Sequence, residues 1–201
     1  MNVSKLRMTQ DERRARSRSA LLESAARGLS RHGYGNLVLE RVAADAGYTR
    51  GALYHLFEDK EALALAVVEW VNETWVAEVG ATLADDMDPV DELLALARGH
   101  AVYCRRDVAR VRMMLAAEFA GQDHPVGRAV EEAIDSLVER CSRLITAARR
   151  AGSLPKGTPP RTLARACVGA LEGVVIQLAG QAPHDEVLAE RVVRGLVGVP
   201  A

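Results

Sequence analysis

Apolar side chains return every three or four positions along nearly the whole chain, and hardly anywhere on every second position. That is the period of helices packed through one face, and it predicts an all-α protein of about nine helices. The first spans residues 10–32, with Leu21, Leu22, Ala25, Ala26 and Leu29 on one stripe and Gly33 as its stop. Two short helices follow. One covers 38–46 and buries Val42, Ala43 and Ala46; the other opens at Thr49, a good N-cap, and ends near 57, with Gly47 in the turn between them. Asp59 caps a long fourth helix over 59–83, striped by Leu63, Ala66, Val67, Trp70 and Val71. Beyond "ADDMDP", Asp88 caps, Pro89 takes the first helical position and Asp91 complements the dipole of a helix reaching about 103. Further helices are predicted over 107–119, 125–150, 159–179 (opened by Thr158) and 185–197, with "GQDHP" and "AGSLPKGTPP" as loops.

The helix over 159–179 carries too much apolar surface for a single buried face. Two readings stand: the central helix of a monomeric bundle, or a helix shared between its own core and a second copy. The second reading puts Leu163, Cys167, Ala170, Val174 and Leu178, with Leu188, Val192 and Leu196 of the last helix, in a four-helix contact between two copies. Gly169 and Gly173 permit close backbone approach in either case.

Composition narrows the classes. Of 201 residues, 49% are hydrophobic, enough for a full core in one large or two small domains. There is no apolar run of bilayer length and the basic N-terminus lacks a secretory core, so a cytoplasmic protein without a membrane partner is expected. Cys104, Cys141 and Cys167 are odd in number and far apart, without a second Cys or His at ligand spacing. Buried free thiols are expected, with no metal and no cofactor. A phosphate-binding glycine loop, a nucleophile elbow and a His-Glu-x-x-His pair are all missing, and His124 before Pro125 serves a turn, so no enzyme is expected.

Charge is unevenly spread. Residues 1–60 carry 11 Lys and Arg against 7 Asp and Glu, whereas the other 141 carry 15 against 20. A basic first quarter points to an anionic partner, nucleic acid above all. Within it, residues 39–57 read as a helix-turn-helix. Ala43 suits a close helix crossing, Gly47 a turn with positive φ, and Leu53 a lock between the two helices. With Leu53, Leu56 and Phe57 inward, the outward set is Arg50, Gly51, Tyr54 and His55. Arg50 suits guanine or a phosphate, and Gly51 allows close approach to base edges. Tyr54, His55 and Lys60, at the start of the fourth helix, suit phosphate oxygens. The N-terminal residues Lys5, Arg7, Arg13, Arg14, Arg16 and Arg18 form either a clamp on DNA or a solvated basic tail.

The stretch "AADAGYTRGALYHLFEDKEAL", with its glycine turn, Leu-Tyr-x-x-Phe and Lys-Glu-x-Leu, resembles the DNA-binding signature of the TetR family of bacterial transcriptional regulators. The resemblance covers about residues 17–66. It implies a three-helix DNA-binding domain over 1–57 and a helical bundle over 58–201 for ligand binding and dimerisation, joined by helix 59–83. It further implies a homodimer on a palindromic double-stranded DNA operator, most often a repressor released by a small-molecule effector. By position, Thr49, Arg50, Gly51, Tyr54, His55 and Lys60 are its DNA contacts. The alternative is a DNA-binding dimer without a small ligand, controlled by a protein partner or acting architecturally.

The chain departs from the family at "GNLVLERVA". Leu37 and Val38 stand where Thr or Ser usually caps the second helix and touches a phosphate, and Arg41 stands where an acidic residue would complete a capping box. Asn36 is the candidate cap and Arg41 the candidate phosphate contact. An effector cavity is expected among side chains of mixed character on the middle helices: Trp70, His100, Tyr103, Met113, Met114, Glu118, Phe119, Cys141 and Leu171. "VRMMLAAEF" stands out there, since methionine adapts to irregular ligands.

Overall fold

The computed structural model describes residues 9–84 and 86–199, so Lys5 and Arg7 of the basic N-terminus lie outside the described residues. Among the described residues there are nine helices and no strand: α1 (Gln10–His32), α2 (Leu39–Asp45), α3 (Arg50–Leu56), α4 (Lys60–Gly80), α5 (Pro89–Tyr103), α6 (Val111–Glu118), α7 (Pro125–Ala151), α8 (Pro160–Leu178) and α9 (His184–Val197). Arg13, Arg14, Arg16 and Arg18 belong to the first turns of α1.

Most helix starts follow from capping chemistry. Thr9 and Glu12 form a reciprocal capping box on α1, Thr49 accepts from the Ala52 N–H, Asp59 from Ala62, and Asp88 from Val90 beside Pro89. Three starts differ from the pattern's indication. Asn36 does not cap α2: its side-chain amide donates to the His32 carbonyl, and Val38 sits at the N-cap with no side-chain bond. α6 begins at Val111 rather than near 107, because Asp107 turns outward to Arg31 at 3.0 Å and so caps nothing. α8 opens behind Pro159, also without a side-chain cap.

Two apolar cores are built from these helices. The first joins α1, α2, α3 and the first half of α4 (Leu63 to Val71) to Val111, Leu115 and Phe119 of α6 or its end and to Val126 and Val130 of α7. Leu53 is fully buried in it and fixes α3, while the Ser24 hydroxyl donates to the Val42 carbonyl at 2.9 Å and ties α1 to α2. The second core gathers Trp75 and Val79 of α4 with α5, the latter part of α7, α8 and α9. α4 and α7 thus run from one core into the other.

α8 turns Leu163, Cys167 and Leu171 into its own second core, 8%, 1% and 6% exposed. Of the residues expected at a contact between copies, Leu163 and Cys167 therefore face inward. Ala170, Val174 and Leu178 are half-buried, as are Leu188 and Val192 of α9, and Leu196 is exposed. The outer surface of α8 is Ala166, Gly169, Gly173 and Ile176, with Ile176 58% exposed.

Candidate nucleic-acid interface and effector cavity

α3 is a seven-residue helix with one side committed to the core. Leu53 and Phe57 are buried, and Thr49, Arg50, Gly51, Tyr54 and His55 are exposed. A Cβ on Gly51 would meet only Thr49 Oγ1 at 3.9 Å, so this end of α3 is an open surface. Arg50 is held in place. It pairs with Glu40 of α2 at 3.0 Å, and its guanidinium lies 5.2 Å from the Tyr54 ring centre. Arg41 is exposed and sits 3.7 Å from Asp45, one turn along α2. Lys60 is half-buried, donating to the Gly35 carbonyl at 3.0 Å with its ammonium 4.7 Å from the Tyr34 ring centre. A hollow of about 190 Å³ beside the α2 start is lined by Arg27, Arg31, His32 and Arg41. Arg27 and Arg31 escape a reading of the chain in order, because only the α1–α2 crossing brings them to Arg41.

The turn between α1 and α2 is gripped from the other side. The Glu118 carboxylate, at the last residue of α6, accepts from the backbone N–H of Tyr34 at 2.5 Å and of Gly35 at 2.7 Å. Gly33 stops α1 at φ 73°, and a Cβ there would lie 2.6 Å from Glu118 Oε2. "HGYGN" is therefore shaped to admit a carboxylate. Around this seat, Tyr34, Phe119 and His124 pack ring to ring, with Phe119 and His124 stacked at 4.2 Å.

The residues expected around an effector are dispersed. Trp70 is half-buried against the first core, and Phe119 belongs to that core. Met114 is exposed, 40%, on the outer side of α6, and Cys141 and Leu171 are buried in the second core. His100 and Tyr103 are buried on α5. The Tyr103 hydroxyl bonds Thr74 Oγ1 at 2.8 Å and the Val71 carbonyl at 3.0 Å. Burial also pushes the Cys104 and Cys141 thiols up to about 12 and Cys167 to about 11, so none is a thiolate at neutral pH.

Met113 does line a cavity. It has a volume of about 350 Å³ between α6, α7 and α8, bounded by Arg112, Met113, Ala116, Ile134, Val138, Val168, Gly169, Glu172 and Ile176, with Arg165 at its edge. Its polar end is a buried cluster. Trp75 Nε1 donates to His100 Nδ1 at 3.1 Å, which leaves the imidazole proton on Nε2. That nitrogen faces Glu172 Oε1 at 3.7 Å and Cys104 Sγ at 3.6 Å. Desolvation, aided by Arg112, lowers the His100 pKa to about 3, so the ring is neutral. Desolvation outweighs Arg112 at Glu172 and raises its carboxyl above the ordinary range. Arg112 and Glu172 had a faint mark in the sequence, as charges interrupting the apolar runs of "VRMMLAAEF" and of α8.

Comparison with known proteins is concordant with this architecture. Residues 21–67 match the family model described as bacterial regulatory proteins, tetR family, and residues 89–196 match the tetracyclin repressor-like C-terminal domain. The chain is 35% identical over 85 residues to the HTH-type transcriptional repressor AcnR of Corynebacterium efficiens, a match covering 38% of this chain and 45% of that protein. It thus spans a little under half the length of that relative. The fold is similar to that of AibR in complex with isovaleryl coenzyme A and operator DNA, with a TM-score of 0.69 at 22% identity over 90% of this chain and 98% of that one. It is also similar to the fatty acid degradation regulator FadR from Bacillus halodurans, with a TM-score of 0.75 at 17% identity over 90% and 94%. At these identities the likeness is one of fold. Among the described residues no helix is long and apolar enough to cross a membrane.

Proposed function

Because the chain belongs to the TetR family of bacterial regulatory proteins, which are regulators and not enzymes, we propose that it is a homodimeric repressor working in the bacterial cytoplasm. It binds a palindromic operator through α3 and is released when a small molecule enters the α6–α7–α8 cavity. Residues 1–57 are the reading unit, 58–201 the sensing and pairing unit, and α4 (Lys60–Gly80) the link. On DNA, Arg50 and Gly51 face base edges, while Thr49, Tyr54, His55, Lys60 and Arg41 hold phosphates. The pairing surface is the outer side of α8 with Leu188, Val192 and Leu196 of α9. In its support, a Cβ added to Gly169, Gly173 or Gly195 meets nothing within 4 Å, so these positions leave room for a second copy.

One observation carries the regulatory reading: α6 touches both sites. Its Arg112, Met113 and Ala116 line the cavity, and its last residue, Glu118, holds the Tyr34 and Gly35 amides of the turn that orients α2 and α3. The two ends are six residues apart, about 9 Å along a helix. A ligand that displaces α6 pulls that carboxylate, and two reading heads matched to grooves one turn apart lose their spacing.

Selection of bound sequences from a random DNA pool tests the operator claim. A motif with two-fold symmetry is expected, and one without it would refute the paired heads. The coupling has a ligand-free test in a double-mutant cycle. Ala116→Leu, which fills part of the cavity, is expected to weaken operator binding about fivefold, near the low end of allosteric couplings. In a Glu118→Ala background the same change is expected to have less than about a twofold effect. Equal effects in both backgrounds would remove Glu118 from the route.

A further inference from the structure

The cavity holds a cation without an adequate partner. Arg112 is 4% exposed, and its nearest carboxylate oxygen, Glu172 Oε1, is 4.0 Å away, outside hydrogen-bond range. The Trp75 ring centre lies 6.0 Å from the guanidinium carbon. No hydrogen bond joins its five N–H donors to any acceptor among the described residues. Among the described residues no Arg112 nitrogen is both fully buried and unpartnered, so its N–H groups open on the cavity it lines, where a ligand's oxygen atoms can reach them. The remaining groups at this end do not compensate. His100 is neutral, Glu172 is drawn toward its protonated form by burial, and Cys104 is a thiol. At the cavity's edge Arg165 is already paired with Asp135 at 2.5 Å. The rest of the wall is apolar.

We propose that this cavity takes a small amphipathic carboxylate, its head group bidentate on Arg112 and its apolar chain along Met113, Ile134, Val138 and Val168. The inference rests on the effector reading of the same cavity and specifies its ligand. A single guanidinium matches a single negative charge, which favours a carboxylate over a phosphate dianion. A volume of about 350 Å³ lies near the small end of ligand sites, which run from about 300 to 1,000 Å³, so the chain is short. Burial raises the Glu172 pKa, which weakens its repulsion of a ligand carboxylate beside Arg112.

Titration calorimetry of the full chain with octanoate, octan-1-ol and octylamine tests the proposal without any variant. Octanoate is expected to bind about 10- to 100-fold tighter than octanol, the value of a charge-assisted hydrogen-bonded pair. Arg112→Met is expected to bring octanoate down to the level of octanol and to leave octanol binding unchanged. Octanoate binding no tighter than octanol, octylamine binding tightest, or Arg112→Met binding octanoate as well as the parent would each overturn the proposal. Operator affinity is measured separately. Octanoate that binds through Arg112 but leaves operator affinity unchanged would refute the effector reading and leave the ligand class standing.

Discussion

Arg50→Ala is expected to weaken binding to the selected operator by about 1–3 kcal/mol, roughly 5- to 150-fold, and to relax preference at one base position in each half-site. The structure has Arg50 paired with Glu40, so DNA must compete for it. Both side chains are more than half exposed, 64% and 53%, and an exposed pair is worth about 0–1 kcal/mol. A bidentate contact to guanine is worth more, so the guanidinium transfers to the base. Until then Glu40 and the Tyr54 ring keep it extended over the end of α3. Lys60→Ala supplies the contrast. It is expected to weaken all sequences alike and to make the salt dependence shallower by about one charge. An Arg50 variant behaving in that uniform, salt-linked way would show that Arg50 holds a phosphate instead.

Asp185→Ala is expected to cost about 3 kcal/mol of stability, lowering Tm by about 6–12 °C at fixed protein concentration. The carboxylate is buried at the start of α9 and accepts two hydrogen bonds from Arg105, at 2.9 and 2.7 Å, with further backbone donors from Gly180 and Glu186. Arg105 also reaches Glu186 at 2.9 Å and is 29% exposed. It can rehydrate when its partner is lost, which keeps the cost at the lower end for a broken buried pair. The bonds to Arg105 hold the Asp185 pKa below the ordinary range. A depressed carboxylate contributes its stability above its unfolded pKa, about 3.9, and loses it as pH falls from there through the folded value. The gap in denaturant midpoint between parent and Asp185→Asn is therefore expected to be constant from neutral pH to about 5 and to close below about 4. His100, neutral when folded and protonated near 6.5 when unfolded, adds an acid sensitivity common to both proteins, which cancels in the difference. A gap unchanged at pH 3 would mean that Asp185 acts by shape alone.

Helix number, order and most starts were legible because local chemistry sets them. Thr49, Asp59 and Asp88 each bond an amide two or three residues away, so the information lies within one turn of chain. The outward set of α3 was legible for the same reason: burial of Leu53 and Phe57 dictates which side remains. Long-range partners were not legible. Asp185 reads as a residue favouring a helix start, and its engagement by Arg105, eighty positions earlier, exists only because α9 packs on α5. Glu118 reads as a polar group on a ligand-facing helix, yet it seats on the amides of Tyr34 and Gly35. Glu172 interrupts the apolar stripe of α8 and Arg112 stands within "VRMMLAAEF", but periodicity cannot tell a charge that reaches open solvent from one turned into a cavity beside Trp75. The α2 start is the case where local chemistry was read and differed: Asn36 found the His32 carbonyl within reach before any amide of α2.

The first core also bears on how this protein can be taken apart. Val111, Leu115, Phe119, Val126 and Val130, all distant in the chain, close over the same apolar cluster as Leu21, Leu29 and Leu53. A chimera that splices α1–α3 alone onto another regulator's sensing half would leave that cluster open to water. Transplanting the reading specificity is better done by exchanging only the exposed residues of α3, leaving the seam between the two halves as it is.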